Sequence, residues 1–228
     1  MIYITGDTHG NIDFLKLKLL GMAHPELTKN DYVIVAGDFG GVWSPKTMDK
    51  DLRPFQELPY TVLFVDGNHE NFDIIDSFPV EIWHGGKVHF IRPDIIHLMR
   101  GQVFEIEGKT FFTFGGGTSI DKMFREEGTS WWPQEIPNEE EIAEGMANLK
   151  RYNNTVDFII THSIDEESLG TPPLRGSVYK MKAYEDNRIL SQFEKIVNYR
   201  HWYFGHYHMD GDLSERKTVL YQAFIPLK

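Results

Sequence analysis

An α/β fold built on an open sheet is what this sequence predicts, and three observations carry the prediction. Apolar, largely β-branched runs at Ile2-Tyr3-Ile4, Tyr32 to Gly37 and Tyr60 to Val65 have the length and turn-residue borders of strands, the second and third of them buried on both faces. Segments with apolar residues at helical spacing lie between them. Each run stops on residues of the kind that do chemistry: Gly6-Asp7-Thr8-His9-Gly10, Gly37-Asp38, and Asp66-Gly67-Asn68-His69-Glu70. Ligands of open α/β sheets bind outside the carboxyl ends of the strands, so these polar residues share one end of the sheet.

The elements follow in order. Asn11 is a suitable N-cap, and Ile12, Leu15, Leu19 and Leu20 are spaced as one face of a helix ending near Gly21. After the Tyr32 to Gly37 strand comes a turn at Trp43-Ser44-Pro45, then a helix through Leu52 and Phe55. Val88 to Ile91, Ile95 to Met99, Val103 to Ile106 and Thr110 to Phe114 are short strand candidates joined by turn residues, which predicts an antiparallel meander. A loop-rich segment, 115–137, precedes a helix from Glu139 that carries Ile142, Met146 and Leu149. Val156 to Thr161 is a strand ending on His162, and residues 163–182 lack periodicity, a length that in a compact domain marks a functional or mobile loop. A helix with Ile189, Phe193 and Ile196 leads to a strand at His201 to Phe204, which ends on Gly205-His206-Tyr207-His208, and Lys217 to Ile225 reads as a closing strand. With no repeat or linker, residues 1–228 are expected to form one domain.

Composition excludes several classes. A formal net charge of −11 leaves no broad basic field, which argues against general nucleic-acid binding and against an anionic membrane surface. The absence of cysteine removes disulfides, thiolate metal sites and cysteine nucleophiles. No run of about 18 apolar residues occurs, and Met1 to Asp7 lacks a basic, apolar leader, so a cytoplasmic protein is expected.

Asp7, His9, Asp38, Asn68, His69, His162, His206 and His208 all follow apolar strands, and five of the ten histidines are among them. Imidazole, carboxylate and amide oxygen together suit first-row divalent ions. The donors outnumber the needs of one ion, so two metals sharing a bridging carboxylate is the economical reading, with Asp38 as the bridge. His24, His84, His89, His97 and His201 have no evident convergent partners.

GDTHG at Gly6 to Gly10, GDFGG at Gly37 to Gly41, GNHE at Gly67 to Glu70, His162 in THS, and GHYH at Gly205 to His208 resemble, in order, the motifs of the metallophosphoesterases, also called calcineurin-like phosphoesterases. The resemblance implies a four-layer α/β/β/α sandwich, two mixed β-sheets flanked by helices, with a dimetal site at the strand ends. It implies that Asp7, His9, Asp38 and His208 hold one ion, and that Asp38, Asn68, His162 and His206 hold the other. Manganese is the expected ion, with iron, zinc, nickel and magnesium as the other candidates. The implied reaction is hydrolysis of a phosphomonoester or phosphodiester, a small molecule or nucleotide, by in-line attack of a metal-bridging hydroxide. His69 is implied as the group that protonates the leaving oxygen or steadies the phosphate.

Where the protein-phosphatase branch continues its second motif with an Asp-Arg pair, this chain has Phe39-Gly40-Gly41, which weakens a protein-phosphatase assignment. Arg125, with Asp121 four residues before it, is the candidate replacement for the phosphate-clamping guanidinium. The alternative is a surface ion pair, and Trp131 and Trp132 either stack on a nucleoside or cap the core. Two other functions compete: a non-catalytic scaffold that keeps the fold, disfavoured by the intact donor set, and a dinuclear amidohydrolase, whose donors would begin with His-x-His.

Overall fold

The computed structural model describes residues 1–176 and 182–227. The first half of the chain runs β1 (Ile2–Thr5), α1 (Phe14–Ala23), β2 (Tyr32–Ala36), α2 (Met48–Gln56), β3 (Thr61–Val65), α3 (Phe72–Ile75), β4 (Val80–Trp83), β5 (Gly86–Arg92) and β6 (Ile95–Leu98). The second half runs β7 (Gln102–Ile106), β8 (Lys109–Phe114), α4 (Glu139–Arg151), β9 (Thr155–Thr161), α5 (Glu185–Glu194) and β10 (Asn198–Phe204). It closes with β11 (Gly211–Ser214), β12 (Lys217–Val219) and β13 (Ile225–Leu227). Two mixed sheets result, ordered β13-β1-β2-β3-β6-β5-β4 and β11-β12-β10-β9-β8-β7.

The period-2 alternation of each strand decides the layers. Ile2, Ile4, Ile34, Ala36, Leu63 and Val65 of the first sheet meet Phe104, Ile106, Phe111, Phe158 and Ile160 of the second. Their chain neighbours Tyr3, Val33, Val35, Val62 and Phe64 turn the other way, onto Leu17, Leu20, Leu52 and Phe55 of α1 and α2. Beyond the second sheet, Phe112, Phe114, Trp202 and Phe204 pack on Leu149 of α4 and on Ile189, Leu190 and Phe193 of α5. Helices, sheet, sheet and helices make the expected α/β/β/α sandwich. No helix among the described residues is long and apolar enough to cross a membrane.

The structure corrects several expectations. The middle strands are not one meander: β5 and β6 stay in the first sheet, where β6 lies parallel to β3, while β7 and β8 join the second. The chain changes sheets at Met99 to Gly101, where buried Arg100 bonds Asp66 through Nε at 2.8 Å and the Gln134 carbonyl through Nη2 at 2.8 Å. The closing strand likewise divides, β12 lying parallel to β10 and β13 antiparallel to β1. Ile12, ahead of α1, and Leu15 and Leu19 on it are 81%, 63% and 53% exposed, and Leu17, Leu20 and Lys16 face the sheet. That helix is apolar on more than one side and starts after Asp13 rather than Asn11, so spacing alone does not choose its inner face. Ile196 lies beyond the end of α5. The expected loop at 163–182 contains 3-10 turns at Glu167–Gly170 and Leu174–Gly176, and residues 177–181 of it lie outside the described residues.

Candidate metal centre

All eight strand-end residues come together. His208 Nε2 lies 3.1 Å from Asp7 Oδ2, and His9 Nε2 lies 3.5 Å from Asp38 Oδ2 and 3.9 Å from Asp7 Oδ2. Ligand atoms of Asp7, His9, Asp38 and His208 all fall within 4.8 Å of one another. Beside them, His162 Nε2 is 3.1 Å from Asn68 Oδ1, 3.1 Å from His206 Nδ1 and 3.4 Å from Asp38 Oδ1. Asp38 therefore turns one oxygen to each group.

The turns that present these donors are bent in a way ordinary residues avoid. His9, Asp38, His206 and His208 all have positive φ, between 45° and 70°. Non-glycine residues in this region cost energy and persist only where surrounding contacts hold them. Glycine makes room between them: at Gly37, with φ 90°, a Cβ would lie 2.1 Å from His162 Nδ1. At Gly205 it would lie 2.2 Å from Asp7 Oδ1.

The donors fit a cation in their outer contacts as well. His9 Nδ1 is 2.8 Å from Asp13 Oδ2, and His162 Nδ1 is 3.0 Å from the Ala36 carbonyl, which turns each ring's Nε2 lone pair inward. Such carboxylate and carbonyl partners commonly fix metal-binding histidines. Asp7 is fully buried, yet its Oδ2 accepts no well-formed hydrogen bond, although an imidazole nitrogen stands 3.1 Å away. Roughly 3 Å is the spacing of neighbouring ligands around an ion with bonds of about 2.1 Å. Burial, aided by His162, depresses His206 to about 3 and keeps its ring neutral. Burial opposes charge on His9 too, but Asp38 and Asp13 outweigh it and push that ring up to about 9. A bound cation competes with that proton. Asp38 is held well below the carboxylate range because His162 and His9 overcome its burial.

His69 stands at the mouth. Its backbone N–H donates to Asp38 Oδ1 at 2.7 Å, and its ring lies 5.8 Å from that of His9. Burial and Arg125 lower its pKa against the pull of Asp38. Arg125 forms the expected pair with Asp121, Nε and Nη2 each 2.8 Å from a carboxylate oxygen, across a 3-10 turn at Lys122–Phe124. Its Nη1 also bonds the Ser130 carbonyl at 3.1 Å and approaches His69 Nδ1 at 3.1 Å. The guanidinium is thus engaged alongside His69. A cavity of about 170 Å³ opens here, lined by Asp38, Asn68, His69, Thr118, Ile120, Asp121, His206 and His208. Trp132 caps the core, edge-on to Trp43 at 5.5 Å with its N–H on Asp73 at 2.8 Å.

Several supporting residues escape sequence reasoning. Asp13, four residues after His9, has a signal in its spacing. Tyr221 has none: its hydroxyl donates to Asp13 Oδ1 at 3.0 Å and its ring stacks on His208 at 5.0 Å. Glu70, inside a recognised motif, accepts from the Phe39 N–H at 2.6 Å and the Gly40 N–H at 3.2 Å, which joins two donor loops. Ser119 accepts from the Asn68 amide at 3.2 Å, which turns the amide oxygen toward His162. His89 and His97, expected to lack partners, form a chain instead: His89 Nδ1 is 3.1 Å from His97 Nδ1, and His97 Nε2 is 3.1 Å from Asp66 Oδ1.

A four-layer sandwich with carboxylates and imidazoles gathered at the strand ends of both sheets defines a metal-dependent phosphoester hydrolase. The chain belongs to the calcineurin-like phosphoesterase family, whose model matches residues 1–210. Among solved structures it is similar to the phosphopantetheinyl hydrolase PptH from Mycobacterium tuberculosis, at 14% identity and a TM-score of 0.42, with 97% of this chain and 89% of that chain covered. No curated protein sequence matches the chain.

Proposed function

We propose that the chain is a dinuclear phosphoesterase that hydrolyses a small-molecule or nucleotide phosphomonoester or phosphodiester. In this reading Asp7, His9, Asp38 and His208 hold one divalent ion, and Asp38, Asn68, His162 and His206 hold a second. The observation that carries it is the pair of donor groups with separate oxygens of Asp38 turned to each. When bound, the ions supply positive charge to the phosphoryl oxygens and acidify a water for in-line attack. The chain's own residues orient and exclude. Asp13 and the Ala36 carbonyl hold His9 and His162 in their inward tautomers, and Ser119 holds the Asn68 amide. His69, at the cavity mouth, is the group that steadies the phosphoryl oxygens and passes a proton to the leaving oxygen. Arg125 lies against the His69 ring and is itself fixed by Asp121 and Ser130, so its role is to position His69 and add positive charge beside the phosphate.

The test is to strip the protein with a chelator and reload it with manganese, iron, zinc, nickel or magnesium. Release of p-nitrophenol from p-nitrophenyl phosphate and from bis(p-nitrophenyl) phosphate is then followed. Activity is expected to return with about two equivalents of metal, manganese most strongly. Asp38→Asn should lower it by at least two orders of magnitude without unfolding the chain. Tight binding of two ions with no turnover of either ester would return the chain to a scaffold.

A further inference from the structure

The turn at residues 120–124, whose Ile120 and Asp121 line the cavity, is unlike the rest of the site. Ile120 lines the cavity and is 49% exposed, and Met123 and Phe124, next along the same turn, are 80% and 86% exposed. Single exposed apolar side chains are ordinary, but three within five residues, one of them lining a cavity, offer apolar surface to what binds there. The turn is held rigidly. Asp121 and Arg125, at its two ends, are bonded to each other, the Phe124 N–H donates to the Asp121 carbonyl at 2.8 Å, and the Arg125 N–H donates to the Lys122 carbonyl at 3.1 Å. The ion pair that fastens the turn also places Arg125 against His69, so the apolar surface has a fixed position relative to the reacting group. A preformed surface binds without the cost of ordering itself.

We infer that this turn is the leaving-group site, and that the substrate is a phosphate ester whose alcohol portion is uncharged and apolar, alkyl or aryl, rather than a second anionic group. The inference rests on the phosphoesterase reading above and names the substrate class for the same site. The formal charge of −11 points the same way, since a polyanionic leaving group would meet repulsion once outside the cation pocket.

The experiment measures kcat/KM of the manganese-loaded protein along a series of straight-chain esters from methyl to hexyl. The series is prepared both as alkyl phosphates and as symmetrical dialkyl phosphates, so that the alkyl alcohol is the leaving group in each, with nucleoside monophosphates alongside. Whichever class is turned over should show kcat/KM rising roughly two- to fourfold per methylene, the range for half to full burial of a CH₂. Met123→Ser combined with Phe124→Ser should flatten that slope, both side chains being surface-exposed. Ile82→Ser, at an equally exposed apolar position on β4, should leave the slope intact. A flat series in the unaltered protein, a slope that survives in the double variant, or a preference for nucleotides over long alkyl esters overturns the inference alone. Absence of turnover with every ester overturns the phosphoesterase reading itself.

Discussion

Asp13 divides its two oxygens between the His9 ring and the Tyr221 hydroxyl, so the aim of one donor imidazole is set by a residue 208 positions away from its support. Removing that carboxylate leaves His9 free to turn. Asp13→Ala should weaken divalent-ion binding and activity by about 10- to 100-fold, the usual cost of losing such a partner, with little change in thermal midpoint. Isothermal titration of the stripped protein with manganese checks it. At His69 the prediction concerns the leaving group. His69→Ala should depress hydrolysis of alkyl esters, whose departing oxygen needs a proton, more than that of p-nitrophenyl esters, whose departing oxygen does not. Equal losses on the two would remove the acid role and leave His69 a phosphate-steadying group.

Helix α4 shows how an element is set by its ends. Asn138 Oδ1 accepts from the Glu141 N–H at 2.9 Å while the Glu141 carboxylate accepts from the Asn138 N–H at 2.8 Å, a reciprocal cap that satisfies two donors the helix cannot. Asn138→Ala should cost about 1 kcal/mol in urea unfolding without altering the reaction. Elements of this kind, with strong periodicity and a capping signature, are legible in the sequence, as are the strands that stop on Asp7, Asp38, Asn68, His162 and His206. What is illegible is partnership over distance. The pattern of β5 to β8 is that of any hairpin series, and only the parallel pairing of β6 with β3 reveals that β7 begins another sheet. The inner face of α1 is hidden because apolar residues surround the helix, and α3, β4 and β11 are too short to carry a period. In the site, motif residues are visible and their supports are not: Tyr221 looks like any exposed tyrosine until the fold brings it beneath His208.

The molecule as a whole has an acid-sensitive seam where the chain changes sheets. Loss of water, with His97 adding to it, holds buried His89 down to about 4. The unfolded chain binds a proton there below about 6.5 and the folded chain does not, so U carries more protons than N between those values. Stability is therefore full above about pH 6.5 and declines as the pH falls toward 4, by on the order of 1–2 kcal/mol from this residue. His89→Gln should flatten that part of the curve in denaturation measured from pH 7 to pH 4. The sheet order has a different consequence. Because β13 closes against β1, and because buried Lys16 reaches the carbonyls of Gly6, Asp7 and Tyr221, the first strand is completed by residues far along the chain from it. A ribosome adding roughly 5–20 residues per second would expose the early carboxylates on the order of ten seconds before His206 and His208 emerge. During that interval the nascent protein presents a half-made, acidic nest. The donor set is whole only once the segment carrying His206 and His208 has joined the earlier strands.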